Sequence, residues 1–383
     1  MAGKKNFCRI QMGQRESLPV PRTALPPAVV RRQENEQNNK GSDPMASGKT
    51  ETPAPAPRQK PTLKTISQMS GLAVATVSRA LSDAPDIGAQ TKARVRRIAA
   101  EIGYVPNRAG VRLRTGRTNV VSLVMSTEHE MMNMTARLIS AIASGLRGTP
   151  YHLNMTPYFP GDDPMKPIRY IVETGSADAV IFNQVEPDDP RVDYLMAKNF
   201  PFATHGRSNR ASEHAYFDFD NKAFARLGIE ALSGKGRRRV LLIAPPRSQS
   251  YAGEMIAGAT AAAASCGIDL ILAGGITSDS SSEDVSRHVR ELVSADPGID
   301  GILTGSPNAT MAAIGAVETL GRGVGVDIDV FAKEAIPFLR MFRPKIMVIE
   351  EDVAKAGDFL ARAAIHAARE PGMPPMQFLD VPS

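Results

Sequence analysis

Tryptophan is absent from this sequence, and cysteine occurs only at Cys8 and Cys266. Two such distant thiols make neither a disulfide framework nor a zinc-ligand spacing, so a reduced, cytoplasmic protein is expected. The six histidines are scattered and form no His-Glu-x-x-His pattern, so no metal is expected. There is no Walker A loop, no Gly-x-Gly-x-x-Gly after a strand and no Gly-x-Ser-x-Gly elbow. An enzyme is therefore not expected, and neither is a cofactor. SGKGRRR at 233–239 and GRGVG at 321–325 read as turn signals. Long hydrophobic runs are missing too. The most apolar window, Ala257 to Ile276, contains Asp269 and reads as a helix followed by a strand. The first residues carry lysines without an apolar core, so neither a signal peptide nor a membrane association is expected.

What the sequence does have is charge sorted along its length. The formal net charge is +6. Residues 58–117 hold 12 Lys+Arg against 3 Asp+Glu, residues 1–57 hold 9 against 5, and residues 118–383 hold 25 against 32. A basic head on an acidic body fits a DNA-binding module joined to one that does not bind DNA. Residues 1–60 are rich in Pro, Gln, Asn and Ser and include PAPAPRQKP, so a disordered extension is expected there. Met45 offers an alternative start.

The chain is organised around Leu72 to Leu81, LAVATVSRAL. Before it, Thr62 is an N-cap candidate, and Leu63, Ile66 and Met69 follow at helical spacing. Gly71 breaks that helix. A second short helix then places Val77, Ala80 and Leu81 on an apolar face. Two short helices, a tight turn with glycine and one shared apolar face make a helix-turn-helix. The opposite face shows Val74, Ala75, Ser78 and Arg79. Residues at the start of such a second helix meet base edges in the major groove. Arg79 can grip guanine through O6 and N7, while Val74 and Ala75 offer apolar contact to a thymine methyl. Taken alone, the stretch also fits a small helical bundle with one solvated arginine.

A third helix is expected from about Ala89 to Ile102, stopped by Gly103. Val95, Ile98, Ala99 and Ile102 face inward, and Lys92, Arg94, Arg96 and Arg97 outward. GYVPNRAGVRLRTGRT follows, Gly103 to Thr118. With Thr76-Val77-Ser78-Arg79, Gly103-Tyr104, Pro106-Asn107, Leu113 and Arg114-Thr115-Gly116-Arg117-Thr118, the chain resembles the LacI/GalR family of transcriptional regulators. The match spans roughly sixty residues of that family's headpiece and hinge.

The resemblance implies a hinge helix near Asn107 to Arg114 that forms on DNA and pushes a leucine, here Leu113, into the minor groove. Such a wedge unstacks bases and is repaid by a bent duplex with more contact. The plainer alternative makes Leu113 an ordinary linker residue. The DNA-contacting set implied is Thr62, Val74, Ala75, Thr76, Ser78, Arg79, Asn107, Arg108, Arg112 and Leu113. Two departures stand out. Ala73 replaces the usual serine cap of the recognition helix. Gly110 and Val111 replace the usual Ala-Arg, and Gly110 should weaken the hinge helix by about 1 kcal/mol.

From Asn119 onward, short apolar runs alternate with helical stretches. Strands are expected at Val120–Met125, Ala179–Asn183, Phe200–Thr204, Tyr216–Phe219, Arg239–Ala244, Leu270–Ala273 and Gly301–Thr304. Further strands are expected near Asp329 and at Ile346–Ile349. The last helix is expected at Val353–Arg369. This alternation means parallel α/β, in one large sheet or two lobes. The resemblance implies two lobes like those of the periplasmic sugar-binding proteins, with crossings near Phe219 and Asp329. The fold expected overall is an all-α helix-turn-helix headpiece followed by an α/β, two-lobed, periplasmic-binding-protein-like domain with parallel sheets. The domains expected are an extension at 1–60, the DNA-binding headpiece at 61–106, hinge helix and linker at 107–118, and an effector-binding and dimerisation domain at 119–383.

Ligand is then expected in the cleft at the C-terminal ends of the strands. The residues there are Ser126 and Thr127, Asn183 and Gln184, His205 and Arg207, and Asn308. Their directed donors and acceptors suit a hydroxyl-rich ligand, and the resemblance implies a sugar-contacting role for an asparagine at the place of Asn183. Each is also, singly, an ordinary loop residue. The family's ligand-holding arginine is replaced by Met255, and its Asn-Asp pair becomes Asn308-Ala309. A neutral sugar or glycoside with apolar contact through Met255 is therefore expected. A cleft that has lost its effector is the alternative.

Together these readings imply a ligand-responsive transcriptional regulator, a repressor, that binds a pseudo-palindromic double-stranded DNA operator as a homodimer. A cytosolic sugar-binding or sugar-processing protein is the competing class. No heptad tail follows the last helix, so a tetramer is not expected.

Overall fold

The computed structural model describes residues 60–105, 110, 112, 115–126, 132–159, 161–335 and 337–382. The first three helices are α1 (Leu63–Ser70), α2 (Val74–Leu81) and α3 (Ala89–Glu101). Thr62 caps α1 in a reciprocal box with Thr65. Gly71 ends it at φ 69°, a left-handed conformation that a side chain resists. Ala73 makes no side-chain cap to α2, as expected for an alanine there. Ile66, Val77, Ala80, Val95, Ile98 and Ala99 form a separate small core.

Met69 is a correction: its side chain is half exposed, not inward. Steps of three residues drift by about 60° each around a 3.6-residue helix, so Met69 rotates off the face that starts at Leu63. Ser70 is buried instead and receives the N–H of Leu72.

The first sheet contains β1 (Val120–Ser126), β2 (His152–Tyr158), β3 (Ala179–Phe182), β4 (Phe202–His205), β5 (Ala215–Phe219) and β11 (Gln377–Asp380). Their order is β11-β5-β4-β3-β1-β2, and every pair is parallel. The second contains β6 (Arg239–Ile243), β7 (Asp269–Leu272), β8 (Gly301–Thr304), β9 (Asp329–Glu334) and β10 (Met347–Glu350). Its order is β10-β9-β8-β6-β7, again all parallel. β1, β3, β6 and β8 are central strands whose residues are almost wholly buried, as sheets covered on both faces require.

The covering helices are α4 (Met132–Gly145), α5 (Met165–Thr174), α6 (Pro190–Ala197), α7 (Asn221–Gly234), α8 (Ser250–Cys266), α9 (Ser282–Ala295), α10 (Pro307–Thr319), α11 (Phe338–Phe342) and α12 (Val353–Arg369). α4 and α12 pack on one face of the first sheet, with Leu138, Ile142, Phe217 and Leu360 in their core. Val124, Ile168, Phe182 and Leu195 fill the other face. In the second sheet, α9 and α10 cover one face through Val285, Ile302 and Ile314. α7 and α8 cover the other through Phe224, Leu242 and Ala259. Two sandwiched parallel sheets are the two lobes expected.

The chain leaves the first lobe after Phe219, as expected, but does not return near Asp329. Asp329 opens β9, which pairs with β8 and β10 inside the second sheet. The return falls between β10 and α12, because α12 packs against α4 and β4. Several elements had no counterpart in the sequence reading. β2 is half exposed along its length and β11 mostly so, so neither carries an apolar run. α6 is short and capped by Asp189 with proline at its first turn.

Candidate functional site

The first candidate surface lies on α2. Val74, Ala75 and Arg79 are exposed on it, and Thr76 and Ser78 are half-buried at its edge; Thr62 is exposed at the start of α1. Arg79 is not idle: its Nη2 lies 2.5 Å from Asp86 Oδ2. The loop carrying Asp86 is tied to α3, since Asp83 receives Lys92 at 3.1 Å and Arg96 at 2.8 Å. Lys92 first, and Arg96 with it, hold the Asp83 carboxyl below the usual carboxylate range. Arg94 and Arg97 extend the basic face along α3.

Arg112 donates through Nη2 to the carbonyl of Thr174, at the end of α5, over 2.7 Å. It is thus held by the first lobe. Asn107, Arg108 and Leu113 lie outside the described residues, so the hinge positions are not placed. Where the linker enters the first lobe, Asp178 accepts from Thr118 N, Thr118 Oγ1 and Asn119 N at 2.7 to 2.9 Å.

The second candidate is a cavity of about 300 Å³ between the two lobes. It opens where strand order reverses, between β1 and β3 in one sheet and between β6 and β8 in the other, which is where α/β sheets bind ligands. From the first lobe it receives Met125, Met134, Leu138, Asn183, Gln184 and His205. From the second it receives Ser278, Asp279, Ser306, Asn308, Met311 and Phe338. Asp218, Phe219, Asn221, Tyr251, Lys333, Glu334 and Glu351 form its floor near the two crossings. Apolar side chains, Met125, Met134, Leu138, Met311 and Phe338, share the lining with polar ones from both lobes and from the floor, a combination that binds a ring by its faces and orients it by its substituents.

Four of the expected ligand residues therefore meet in one cleft: Asn183, Gln184, His205 and Asn308. Asn183 Oδ1 is buried and has no hydrogen-bond partner. Gln184 sits at φ 54°, strained for a residue with a side chain, and its carbonyl accepts from Arg191 at 2.7 Å. Asn308 lies in the first turn of α10, whose cap is Ser306.

Of the other four, three are described and do not line the cleft. Met255 is fully buried in the core beneath α8, and its sulfur packs toward Gly305. It is a core residue, not a ligand contact. Arg207 stands behind the cleft, with Nε 2.7 Å from Asp218 Oδ2 and Nη2 3.4 Å from Glu254. Burial raises the Asp218 carboxyl, with Arg207 opposing; the guanidinium serves that buried acid rather than a ligand. Ser126 ends β1, and the cleft wall at that strand is Met125. Thr127 lies outside the described residues.

The polar floor escaped the sequence reading. Lys333 Nζ lies 2.7 Å from Glu351 Oε2 and donates to Asn221 Oδ1 at 3.1 Å. His205 Nε2 lies 3.5 Å from Glu351 Oε1. Burial would raise the Glu351 carboxyl, but the Lys333 ammonium and His205 outweigh it and hold it at about 2. Burial also pushes the Tyr251 phenol well above its usual range. The available signal is the charge that follows the apolar strand residues in FAKEA and IEEDV.

Among the described residues, no group of three or more His, Cys, Asp or Glu side chains fits a metal, and no helix is long and apolar enough to cross a membrane.

Comparison with known proteins agrees with this architecture. Residues 62–107 match the family model of bacterial regulatory proteins, lacI family. Residues 160–356 match that of periplasmic binding proteins and the sugar binding domain of the LacI family. The chain is 28% identical over 323 residues to the HTH-type transcriptional regulator AglR of Rhizobium meliloti (strain 1021), covering 83% of this chain and 90% of that one. It is 25% identical over 317 residues to the HTH-type transcriptional regulator CelR of Thermobifida fusca, covering 80% and 92%. Among solved structures it is similar to a lac repressor dimer bound to operator and the anti-inducer ONPF, with TM-score 0.72, 20% identity and coverage of 85% and 97%. A transcriptional regulator CelR–cellobiose complex gives TM-score 0.61 at 21% identity, covering 85% and 98%.

Proposed function

The chain belongs to the LacI family of bacterial regulatory proteins, as a DNA-binding transcriptional regulator, and from that premise we propose that it is a repressor governed by a neutral sugar or glycoside held between its lobes. The observation that carries this reading is the cleft itself, lined by apolar and polar side chains from both lobes and holding the unpartnered oxygen of Asn183. A hydroxyl-rich ring satisfies both features at once. The solved CelR relative holds cellobiose, a neutral disaccharide.

On the DNA side, α2 enters the major groove. Arg79 reads a guanine, Val74 and Ala75 lie against base methyls, and Thr62 and Ser78 contact the backbone. One headpiece reads too few base pairs for a unique site. Two headpieces of a homodimer on a pseudo-palindrome supply the rest. Asn107, Arg108, Arg112 and Leu113 belong to the hinge between headpiece and lobes, and Leu113 is the minor-groove wedge. Arg112 then leaves the Thr174 carbonyl when the hinge docks on DNA.

Ligand in the cleft draws the lobes together and changes how the hinge segments meet the duplex. The coupling is of the order of 1–3 kcal/mol, a change in operator affinity of roughly 5- to 150-fold. Headpiece residues 61–106, hinge 107–118 and the two-lobed remainder are thus three working parts of one regulator, acting in the cytoplasm.

The test takes the full chain in two steps. Selection from a random duplex pool should return a pseudo-palindrome. Binding to that duplex should then change when a neutral disaccharide that raises the melting temperature is added, since a ligand selective for the folded state stabilises it. A pool without two-fold symmetry would sink the DNA reading. A panel of neutral sugars that leaves the melting temperature unmoved would sink the effector reading.

A further inference from the structure

The cleft floor holds a buried ion pair absent from the contacts that family resemblance supplies. The Lys333 side chain is 11% exposed and that of Glu351 3%, and both line the cavity. They come from separate places in the chain. Lys333 is on β9, while Glu351 follows β10 on the segment that returns to the first lobe. Asn221, bonded to Lys333, starts α7 on the segment that leaves it. The pair therefore sits where both crossing segments meet.

Burying two charges costs several kcal/mol per ion unless their hydrogen-bonding needs are met. Here they are met largely by ionic neighbours. Glu351 Oε2 lies 2.7 Å from the ammonium and Oε1 3.5 Å from His205 Nε2. Glu334 Oε1 beside the pair lies 3.2 Å from Arg340 Nε. Asn183 Oδ1 across the cleft is buried without a hydrogen bond, and neither carboxylate oxygen is bonded in line by its cation. Acceptor capacity thus remains in the cavity for a ligand that donates. A phosphate or carboxylate is a poor candidate, because near neutral pH it has little or nothing to donate. It would also face Asp218, Glu334 and Glu351. A second cation would face the Lys333 ammonium. A hydroxyl both donates and accepts without charge.

We propose that Lys333 and Glu351 form a specificity-determining pair that reads two adjacent hydroxyls of one sugar ring. The ammonium donates to the oxygen of one hydroxyl, and Glu351 Oε2 accepts the proton of its neighbour. Phe219 and Tyr251, whose ring centroids lie 5.0 and 6.0 Å from Lys333 Nζ, hold the ammonium in place. Asn183 takes a third hydroxyl from the opposite lobe. The effector is then a neutral sugar with an unmodified vicinal diol, and the contact lies at the junction that lobe closure must bend. This rests on the sugar reading above and adds to it which residues choose the sugar.

The test is calorimetric and thermal-shift titration of the full chain with maltose, cellobiose, melibiose, raffinose and glucose 6-phosphate. At least one neutral sugar should bind, and glucose 6-phosphate should not. Lys333→Met should weaken that binding by about tenfold or more, the worth of a hydrogen bond to a charged group. Since Lys333→Met strands a buried carboxylate, the charge-neutral double variant K333Q/E351Q keeps the test sound if the single variant unfolds. One singly deoxygenated form of the bound sugar should lose as much against the native chain and nothing further against the double variant. Binding to the folded double variant within twofold of native would overturn the pair's role while leaving the sugar reading standing, and tight binding of glucose 6-phosphate, which keeps its vicinal hydroxyls, would overturn the requirement for an uncharged ligand. If no neutral sugar binds the native chain, the sugar reading falls and this one falls with it.

Discussion

Arg79 and Asp86 meet at 2.5 Å across the turn that follows α2. The one recognition-helix side chain able to make a bidentate contact with guanine is thus engaged by an acid of its own headpiece. Both partners are about half exposed, and such pairs contribute about 0–1 kcal/mol, so DNA can displace the acid at little cost. Arg79→Ala should cost about 1–3 kcal/mol in operator binding and relax the preference at one base position. Asp86→Ala should do the reverse on non-specific duplexes, strengthening binding by up to about 1 kcal/mol as repulsion of phosphate is removed. Competition binding on selected and scrambled duplexes reads both. Equal loss on every sequence in the Arg79 variant would make it a phosphate contact.

Leu113→Ala should reduce operator bending and affinity and leave sugar binding unchanged, because the minor-groove role proposed for it acts only on the duplex. Circular-permutation bending assays check the first and thermal shift the second. Bending that persists unaltered in the variant removes Leu113 from the wedge role.

Met255 gives a contrasting expectation. It is fully buried among Phe224, Ala259 and Leu303. Met255→Ala should lower stability by about 2–5 kcal/mol through the cavity it leaves. At a temperature where the variant is still folded, sugar affinity should change less than threefold, about 0.6 kcal/mol. Denaturant unfolding and calorimetry separate the two. A variant that keeps its stability and loses its ligand would return Met255 to the binding set.

Glu351 carries a pH signature. Its folded carboxyl is held at about 2, below the ordinary 4.5, against burial and by Lys333 and His205. A depressed acid stabilises the fold above its unfolded value. That contribution is complete above pH 4.5 and drains away as the pH falls toward 2. The stability gap between the native chain and Glu351→Gln should therefore hold steady above that window and narrow within it. Melting curves across the range test this, and a gap independent of pH would mean that the carboxylate is not held charged by its neighbours.

Legibility in the sequence followed the physics of each residue. The headpiece was readable because Thr62, Gly71 and Gly103 are caps whose chemistry is local. The buried strands were readable because VVSLVMS and RVLLI are short, mostly apolar runs. β2 and β11 were not, since half-exposed edge strands carry no such run. His205 was placed in the cleft from its strand-end position alone, and Asn183 from that position together with the family resemblance. Lys333 and Glu351 were missed because a charge at a strand end looks the same in sequence whether it meets water or another charge. Met255 misled for the opposite reason: the resemblance implies a ligand contact at its position, whereas an apolar side chain there packs into the core.

Asp178 fixes the threshold between linker and lobe by gripping Thr118 twice and Asn119 once. A carboxylate shared among three donors ties the backbone at residues 118 and 119 to the entry of β3, so a shift of the first sheet carries that anchor point with it.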